Sequence, residues 1–109
     1  MKKLIVGSLA LLVAGAVSVR AADAKENFEK NCKSCHGVDG AGKTKMGEKL
    51  GVKDYTDAKV QAGVKDEEMI KAIKEGVKEG DKTKMKAFGE TFSDDEIKAL
   101  VAYVRSFKK

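Results

Sequence analysis

The sequence has few of the residues that build zinc sites and thiol redox centres. Its 109 residues contain no proline, a single histidine and two cysteines. Tetrahedral zinc is usually held by about four ligands, mostly cysteine and histidine, so this chain has too few soft ligands for such a site. A thiol redox centre of the C-x-x-C type is expected beside a β-α-β pattern, and the chain has no convincing strand. Both kinds of site are therefore disfavoured.

The chain also lacks internal repeats, and its apolar residues recur at helical rather than alternating spacing. Together with the missing proline, this pattern predicts an all-α fold of about four short helices. The predicted helices are residues 24–35, residues 56–62, a third from the N-cap Asp66 to a stop at Gly76, and a C-terminal helix that begins at Ser93.

The C-terminal helix is the best specified of these segments. Ser93 and Glu96 have the spacing of a capping box, and Phe92 and Ile97 have the spacing of a hydrophobic staple. Its predicted buried stripe consists of Ile97, Leu100, Val101 and Val104. This helix is expected to pack against Phe28 of the first helix through Leu100 and Tyr103.

Residues 1–24 are typical of a processing segment. Lys2 and Lys3 form a positive start, residues 4–19 are apolar apart from glycine and serine, and small residues follow. An uncleaved anchor is the competing interpretation, but the apolar run is shorter than the roughly 20 residues of a spanning helix. The sequence therefore predicts a secretory signal peptide cleaved after Ala21 or Ala24, one small domain at 25–109, and export to a periplasm, or to a thylakoid lumen in a photosynthetic source.

The most specific motif is Cys32-Lys33-Ser34-Cys35-His36. A C-x-x-C-H run predicts a c-type haem attachment site. On a helix, side chains three apart share a face, so Cys32 and Cys35 can form thioethers to one porphyrin edge. His36 can then bind the iron from the proximal side. The predicted cofactor is one covalently bound haem c, and a domain of this size is expected to depend on it for part of its core.

The sixth iron ligand cannot be a second histidine, because the chain has none. Methionine sulfur is the usual protein alternative. Met46 follows His36 too closely to reach the opposite face, and Met69 lies on an apolar helix stripe where methionine is more often core filler. Met85, in an irregular segment at 80–91 that includes Phe88, is the predicted distal ligand.

The glycine-rich segment after His36 is predicted to run close to the haem face. Tyr55 and Phe88 are weaker candidates for the haem pocket. Tyr55 could also hydrogen-bond a propionate, and a tyrosine that only packs at the domain surface explains it as well.

Net charge gives little support for nucleic-acid binding. Removing Lys2, Lys3 and Arg20 with the signal leaves 19 basic residues against 17 acidic ones. Four lysines could surround an exposed haem edge and steer docking to an acidic partner, and a solvated surface of mixed charge is an equal alternative. These lysines are Lys33, Lys82, Lys84 and Lys86.

The haem motif, the Met85 segment with Ala87-Phe88, and the run from Phe92 to Val104 resemble class I cytochrome c, of the small mono-haem bacterial and photosynthetic kind. The resemblance implies an all-α fold around one haem c, with crossed terminal helices and with His36 and Met85 as axial ligands. It implies a monomeric electron carrier and not an enzyme. Its partners would be redox proteins at membrane complexes, such as a cytochrome bc-type donor and a terminal oxidase or other periplasmic acceptor.

Two departures from the family pattern concern proline. Family members often have a proline after the haem motif whose carbonyl accepts the imidazole N–H, and another directly after the ligand methionine. This chain has neither, and Lys86 takes the second position. The acceptor for the His36 N–H is therefore unassigned, although another loop carbonyl could serve.

Two other functions remain open from the residues. An open or labile distal site would make the protein a binder of a small gas or a weak peroxidase. A cysteine pair without haem would make it a thiol protein.

Overall fold

The computed structural model describes residues 21–109, so the first twenty residues of the predicted signal peptide lie outside the described residues. The described part is mostly helical, with six helices and one short hairpin. Its elements are α1 (Ala21–Asn31), α2 (Lys33–His36), α3 (Lys45–Leu50), α4 (Ala58–Gly63), α5 (Asp66–Glu75), β1 (Val77–Glu79), β2 (Lys82–Met85) and α6 (Asp94–Arg105). Within residues 21–109, no helix is both long and apolar enough to cross a bilayer.

The core forms where α1 packs against α6. Phe28 of α1 and Ile97 and Leu100 of α6 are each at most 2 % exposed. The rings of Phe28 and Tyr103 lie 5.4 Å apart between centroids, in a tilted arrangement that aromatic pairs favour. The predicted packing of the two terminal helices through Phe28 is confirmed.

The capping box of α6 is also confirmed. The Ser93 hydroxyl accepts a hydrogen bond from the Glu96 N–H at 3.1 Å, and the Glu96 carboxylate accepts one from the Ser93 N–H at 2.8 Å. Phe92 and Ile97, the predicted staple, are both buried in the core cluster. Local sequence therefore determines where this helix starts.

The N-terminal half contains more helices than predicted. The expected helix at 24–35 is interrupted at Cys32, whose φ of −122° separates α1 from α2. The glycine-rich segment contains α3, which begins after the N-cap Thr44, where the hydroxyl accepts a hydrogen bond from the Gly47 N–H at 2.8 Å. A six-residue helix has too few turns to show apolar periodicity, so the cap is its main sequence signal.

Boundaries in the middle of the chain shift by one or two residues. The helix predicted at 56–62 is α4, with Asp57 at its N-cap. Lys65, and not Asp66, is the N-cap of α5, because its backbone N–H donates to the Glu68 carboxylate at 2.9 Å.

The hairpin is a correction to the sequence analysis, which expected no strands and an irregular segment at 80–91. β1 and β2 pair antiparallel around a turn in which Gly80 has a φ of +63°. Both strands are short, rich in lysine and largely exposed. They therefore lack the alternation of apolar and polar residues that marks a half-buried strand.

Candidate cofactor site

A cavity of about 710 Å³ opens between α2, α3, α5 and the hairpin. Its volume is within the range of about 300–1,000 Å³ that is typical of cofactor sites, and most of its wall surface is apolar. The structure brings all six predicted site residues to this one cavity: Cys32, Cys35, His36, Tyr55, Met85 and Phe88.

The cysteines lie one helical turn apart at the edge of the cavity. The N–H groups of Cys35 and His36 both donate to the Cys32 carbonyl, at 3.2 and 3.0 Å, so the motif forms a tight helical turn. The two thiols are free, with no disulfide between them. Burial, and to a smaller extent the neighbouring Cys35, raises the pKa of Cys32 to about 11, so this thiol stays protonated at neutral pH.

The glycine-rich segment after His36 is hydrogen-bonded to the backbone of the C-x-x-C-H motif. The Thr44 hydroxyl donates to the Cys35 carbonyl at 2.8 Å, and the Gly42 N–H donates to the His36 carbonyl at 2.8 Å. A Cβ at Gly47 would clash with the Cys35 carbonyl oxygen, so only glycine allows α3 to approach α2 this closely. The hydrogen bonds and the glycine together fix the orientation of α2.

His36 lies between two aromatic rings. Its ring centroid is 6.3 Å from that of Phe28 and 6.0 Å from that of Tyr55. Burial lowers the pKa of His36, so the imidazole is neutral at pH 7, which is the form that binds metals. Its Nδ1 is buried and has no hydrogen-bond partner within the described part of the chain. No loop carbonyl therefore accepts a hydrogen bond from this nitrogen there.

The three methionines among residues 21–109 differ in burial and in whether they line the cavity. Met46 is 45 % exposed and does not line the cavity. Met69, on α5, and Met85, at the end of β2, both line it. Met69 is only 6 % exposed, which agrees with a core residue, whereas Met85 is half-buried.

The candidate docking lysines do not behave alike. Lys84 and Lys86 line the cavity, whereas Lys33 and Lys82 are exposed and lie outside its walls. The Lys84 ammonium donates to the Leu50 carbonyl at 3.0 Å, and the Lys86 ammonium lies 5.2 Å from the centre of the Phe88 ring.

Sequence reasoning missed a polar cluster that supports the Tyr55 side of the cavity. Gln61, 5 % exposed, donates to the carbonyls of Tyr55 and Val104 at 2.6 and 2.9 Å. Arg105 donates to both oxygens of Gln61 and to the Val64 carbonyl. The sequence carries no signal that Gln61 bridges Tyr55 and Val104. One of these two backbone acceptors lies in a turn and the other is 43 residues along the chain.

Comparisons with known proteins identify the family. Residues 19–104 match the family model described as cytochrome c oxidase, cbb3-type, subunit III, and the chain belongs to this family of c-type cytochrome domains. A solved structure of KustC0563, a c-type cytochrome, is 42 % identical with a TM-score of 0.71, over 79 % of this chain and 98 % of that one. A tyrosine-to-phenylalanine mutant of Kustc0563 is 43 % identical with a TM-score of 0.69, over 79 % and 99 %. Among curated proteins, none matches the chain.

These findings confirm the resemblance to a small cytochrome c and the all-α cytochrome c fold. The cofactor of a c-type cytochrome is haem c, and its domain points to electron transfer rather than to catalysis. The residues around the cavity fit that cofactor. Two free thiols one turn apart and a neutral imidazole share an apolar cavity with a methionine sulfur, which are the protein groups that hold haem c.

Proposed function

We propose that this cytochrome carries single electrons between redox partner proteins through one covalently attached haem c. The observation that carries the proposal is that His36 and Met85 line the same cavity. A metal with protein ligands on both sides has no position free for a substrate. Such a site is suited to electron transfer.

In this proposal each site residue has a distinct role. Cys32 and Cys35 would hold the cofactor by two thioether bonds, and His36 and Met85 would be its axial ligands. Bound haem c supplies the one-electron couple of its iron, and methionine together with histidine ligation raises the potential of that couple. Met85 is favoured over Met69 because it keeps an accessible surface at the cavity, whereas Met69 is already packed in the core.

Tyr55 and Phe88 would form part of the pocket wall. Burial raises the pKa of Tyr55, so its hydroxyl remains protonated near neutral pH and can donate a hydrogen bond. A haem propionate is the acceptor that we propose for it.

The partners that we propose are a cytochrome bc-type donor and a terminal oxidase or other periplasmic acceptor, with transient docking of a monomer at membrane complexes. Lysines at or near the cavity, including Lys84 and Lys86, would steer the protein to an acidic surface. Association rates should therefore fall as ionic strength increases.

Export to the periplasm, with removal of the signal peptide, is part of the same proposal. Of the two candidate cleavage positions, we favour the one after Ala21. Ala24 is 1 % exposed in α1, so cleavage after Ala24 would remove a buried residue that cleavage after Ala21 retains. The intact mass of the mature protein distinguishes the two positions.

The function is tested by the visible spectrum of the purified cytochrome and of three methionine variants. The wild type should show the methionine-to-iron charge-transfer band near the red end of the oxidised spectrum. Met85→Ala should abolish this band, whereas Met46→Ala and Met69→Ala should retain it. A Met85→Ala variant with an unchanged band would refute the ligand assignment. A high-spin wild-type spectrum that shifts with carbon monoxide would refute the carrier and indicate an open distal site.

A further inference from the structure

The segment that contains Met85 is attached unequally to the two sides of the cavity. On the α5 side it is held by backbone contacts. The N–H groups of Phe88 and Gly89 donate to the carbonyls of Ile73 and Lys74, at 2.8 and 3.0 Å. Gly76 lies so close that a Cβ there would be 2.7 Å from the Met85 carbonyl oxygen. On this side, backbone groups of both segments are in direct contact.

On the α3 side the attachment is a single side chain. The Lys84 ammonium donates to the carbonyl of Leu50, the last residue of α3, at 3.0 Å. Among residues 21–109, no other hydrogen bond joins the hairpin to α3. Lys84 and Leu50 both line the cavity, so the contact joins two parts of its wall.

Three features make this contact more than a chance surface interaction. The Lys84 side chain is only 27 % exposed, so its hydrogen bond is partly shielded from water. Its acceptor is a carbonyl at a helix C-terminus, where the helix dipole favours a cation. Glu79, on the paired strand, lies 3.7 Å from the same ammonium and adds a weak attraction that keeps it between the two elements.

Lys82 provides a natural comparison on the same strand. It is two residues from Lys84, is exposed, and lies outside the cavity wall. The two lysines therefore carry the same charge, lie on the same strand and are both within three residues of Met85. They differ in that the Lys84 ammonium, and not that of Lys82, donates a hydrogen bond to α3.

We propose that Lys84 is a positioning residue that holds the Met85 strand to α3 and so keeps Met85 at the cavity. The inference rests on the proposed role of Met85 as the distal ligand. As a positioning residue, Lys84 would not contact the iron. It lowers the fraction of molecules in which the hairpin has moved away and the distal position is open to another ligand.

The proposal predicts a change in the affinity for an added ligand, because that affinity scales with the population of the open form. Imidazole is a suitable probe, since it binds ferric haem and its binding is followed in the visible spectrum. Lys84→Met removes the ammonium and keeps an apolar stem of similar length. Losing a partly buried, charge-assisted hydrogen bond should raise the apparent imidazole affinity about tenfold.

The matched controls are Lys82→Met and Lys84→Arg. Lys82→Met removes an equal charge from the same strand, and its imidazole affinity should stay within about twofold of wild type. Lys84→Arg keeps a cationic donor and should bind imidazole clearly less tightly than Lys84→Met. Equal affinities for Lys84→Met and Lys82→Met would overturn the proposal, and so would equal affinities for Lys84→Met and Lys84→Arg.

A double variant separates this inference from the ligand assignment itself. In a Met85→Ala background there is no methionine to displace, so Lys84→Met should add nothing further to imidazole affinity. A tenfold increase that persists there would overturn the proposal, because Lys84 would then control access rather than Met85. If Met85→Ala alone binds imidazole no more tightly than wild type, the ligand assignment fails, and the inference fails with it.

Discussion

The two sides of this small domain are held together by different interactions. In the terminal-helix half, formed by α1 and α6, large side chains such as Phe28 and Leu100 bury almost all of their surface against one another. In the cavity half, formed by α3, the hairpin and the segment that contains Tyr55, apolar side chains such as Leu50 and Val52 face a cavity of about 710 Å³. The first half has its own core, whereas the second leaves apolar side chains facing a cavity whose residues fit haem c.

Polar contacts follow the same division. In the cavity half, Lys84 and Thr44 join elements by donating to backbone carbonyls, and the Gln61–Arg105 cluster joins the Tyr55 segment to α6 of the other half. Each of these hydrogen bonds fixes the separation of the two elements that it joins. This domain therefore combines a packed half with a half whose elements are joined by polar contacts, and four variants test that difference.

The largest effect is expected from removal of both attachment cysteines. Cys32→Ala with Cys35→Ala should abolish haem staining after denaturing electrophoresis, because no thioether would remain. Amide hydrogen exchange should then increase more in the hairpin than in α6, since the cavity half would lose its apolar contacts. Ser34→Ala, between the two cysteines, is the control and should stain as wild type. A stained band from the double variant would contradict the covalent site.

The next effect concerns the packed half. Phe28→Ala should lower the free energy of unfolding by about 3–5 kcal/mol, because it removes a buried ring from the centre of the α1–α6 contact. Denaturant unfolding of the haem-containing protein measures this. Val38→Ala, at a side chain that is 58 % exposed, should change the same quantity by less than about 0.5 kcal/mol. Similar losses for both would mean that the aromatic cluster does not dominate this half.

A smaller loss is expected where the two halves meet. Gln61→Leu should destabilise the protein by about 1–3 kcal/mol, because it leaves the carbonyls of Tyr55 and Val104 without their buried donor. Asp66→Asn weakens only the outer ion pair with Arg105, whose carboxylate side is 65 % exposed, and should cost less than about 1 kcal/mol. If Asp66→Asn were the more damaging, the surface pair and not the buried amide would join the halves.

The smallest effect is local to one helix end. Ser93→Ala should cost about 1 kcal/mol, because the Glu96 N–H loses its side-chain acceptor. Ser93→Thr keeps a hydroxyl and should restore most of the stability. Thermal unfolding of the three proteins is sufficient to rank them. An alanine variant as stable as wild type would show that packing of Phe92 and Ile97 alone sets the start of α6.

Prediction from sequence succeeded where the signal is local. The capping box at Ser93 and the stripe of α6, in which Ile97, Leu100 and Val101 are buried and Val104 is half-buried, lie within a few residues, so spacing identifies them. The C-x-x-C-H motif is equally local and indicated the c-type cytochrome family, while the haem-binding roles of its residues stay a prediction. Prediction failed for α3 and for the hairpin, which are too short or too exposed for periodicity. The Gln61 cluster and the Lys84 contact were not predictable, because a side chain that donates to a distant carbonyl leaves no pattern along the chain.

By itself the sequence determined the residue types available to a haem and the helices that could surround it, since thiol, imidazole and thioether chemistry and helical periodicity are properties of short segments. Tertiary structure decided which methionines line the cavity, which lysine joins the hairpin to α3, and that His36 Nδ1 has no hydrogen-bond partner within the described residues. The physical reason is that these depend on distances between segments far apart in the chain, which packing of the whole domain sets.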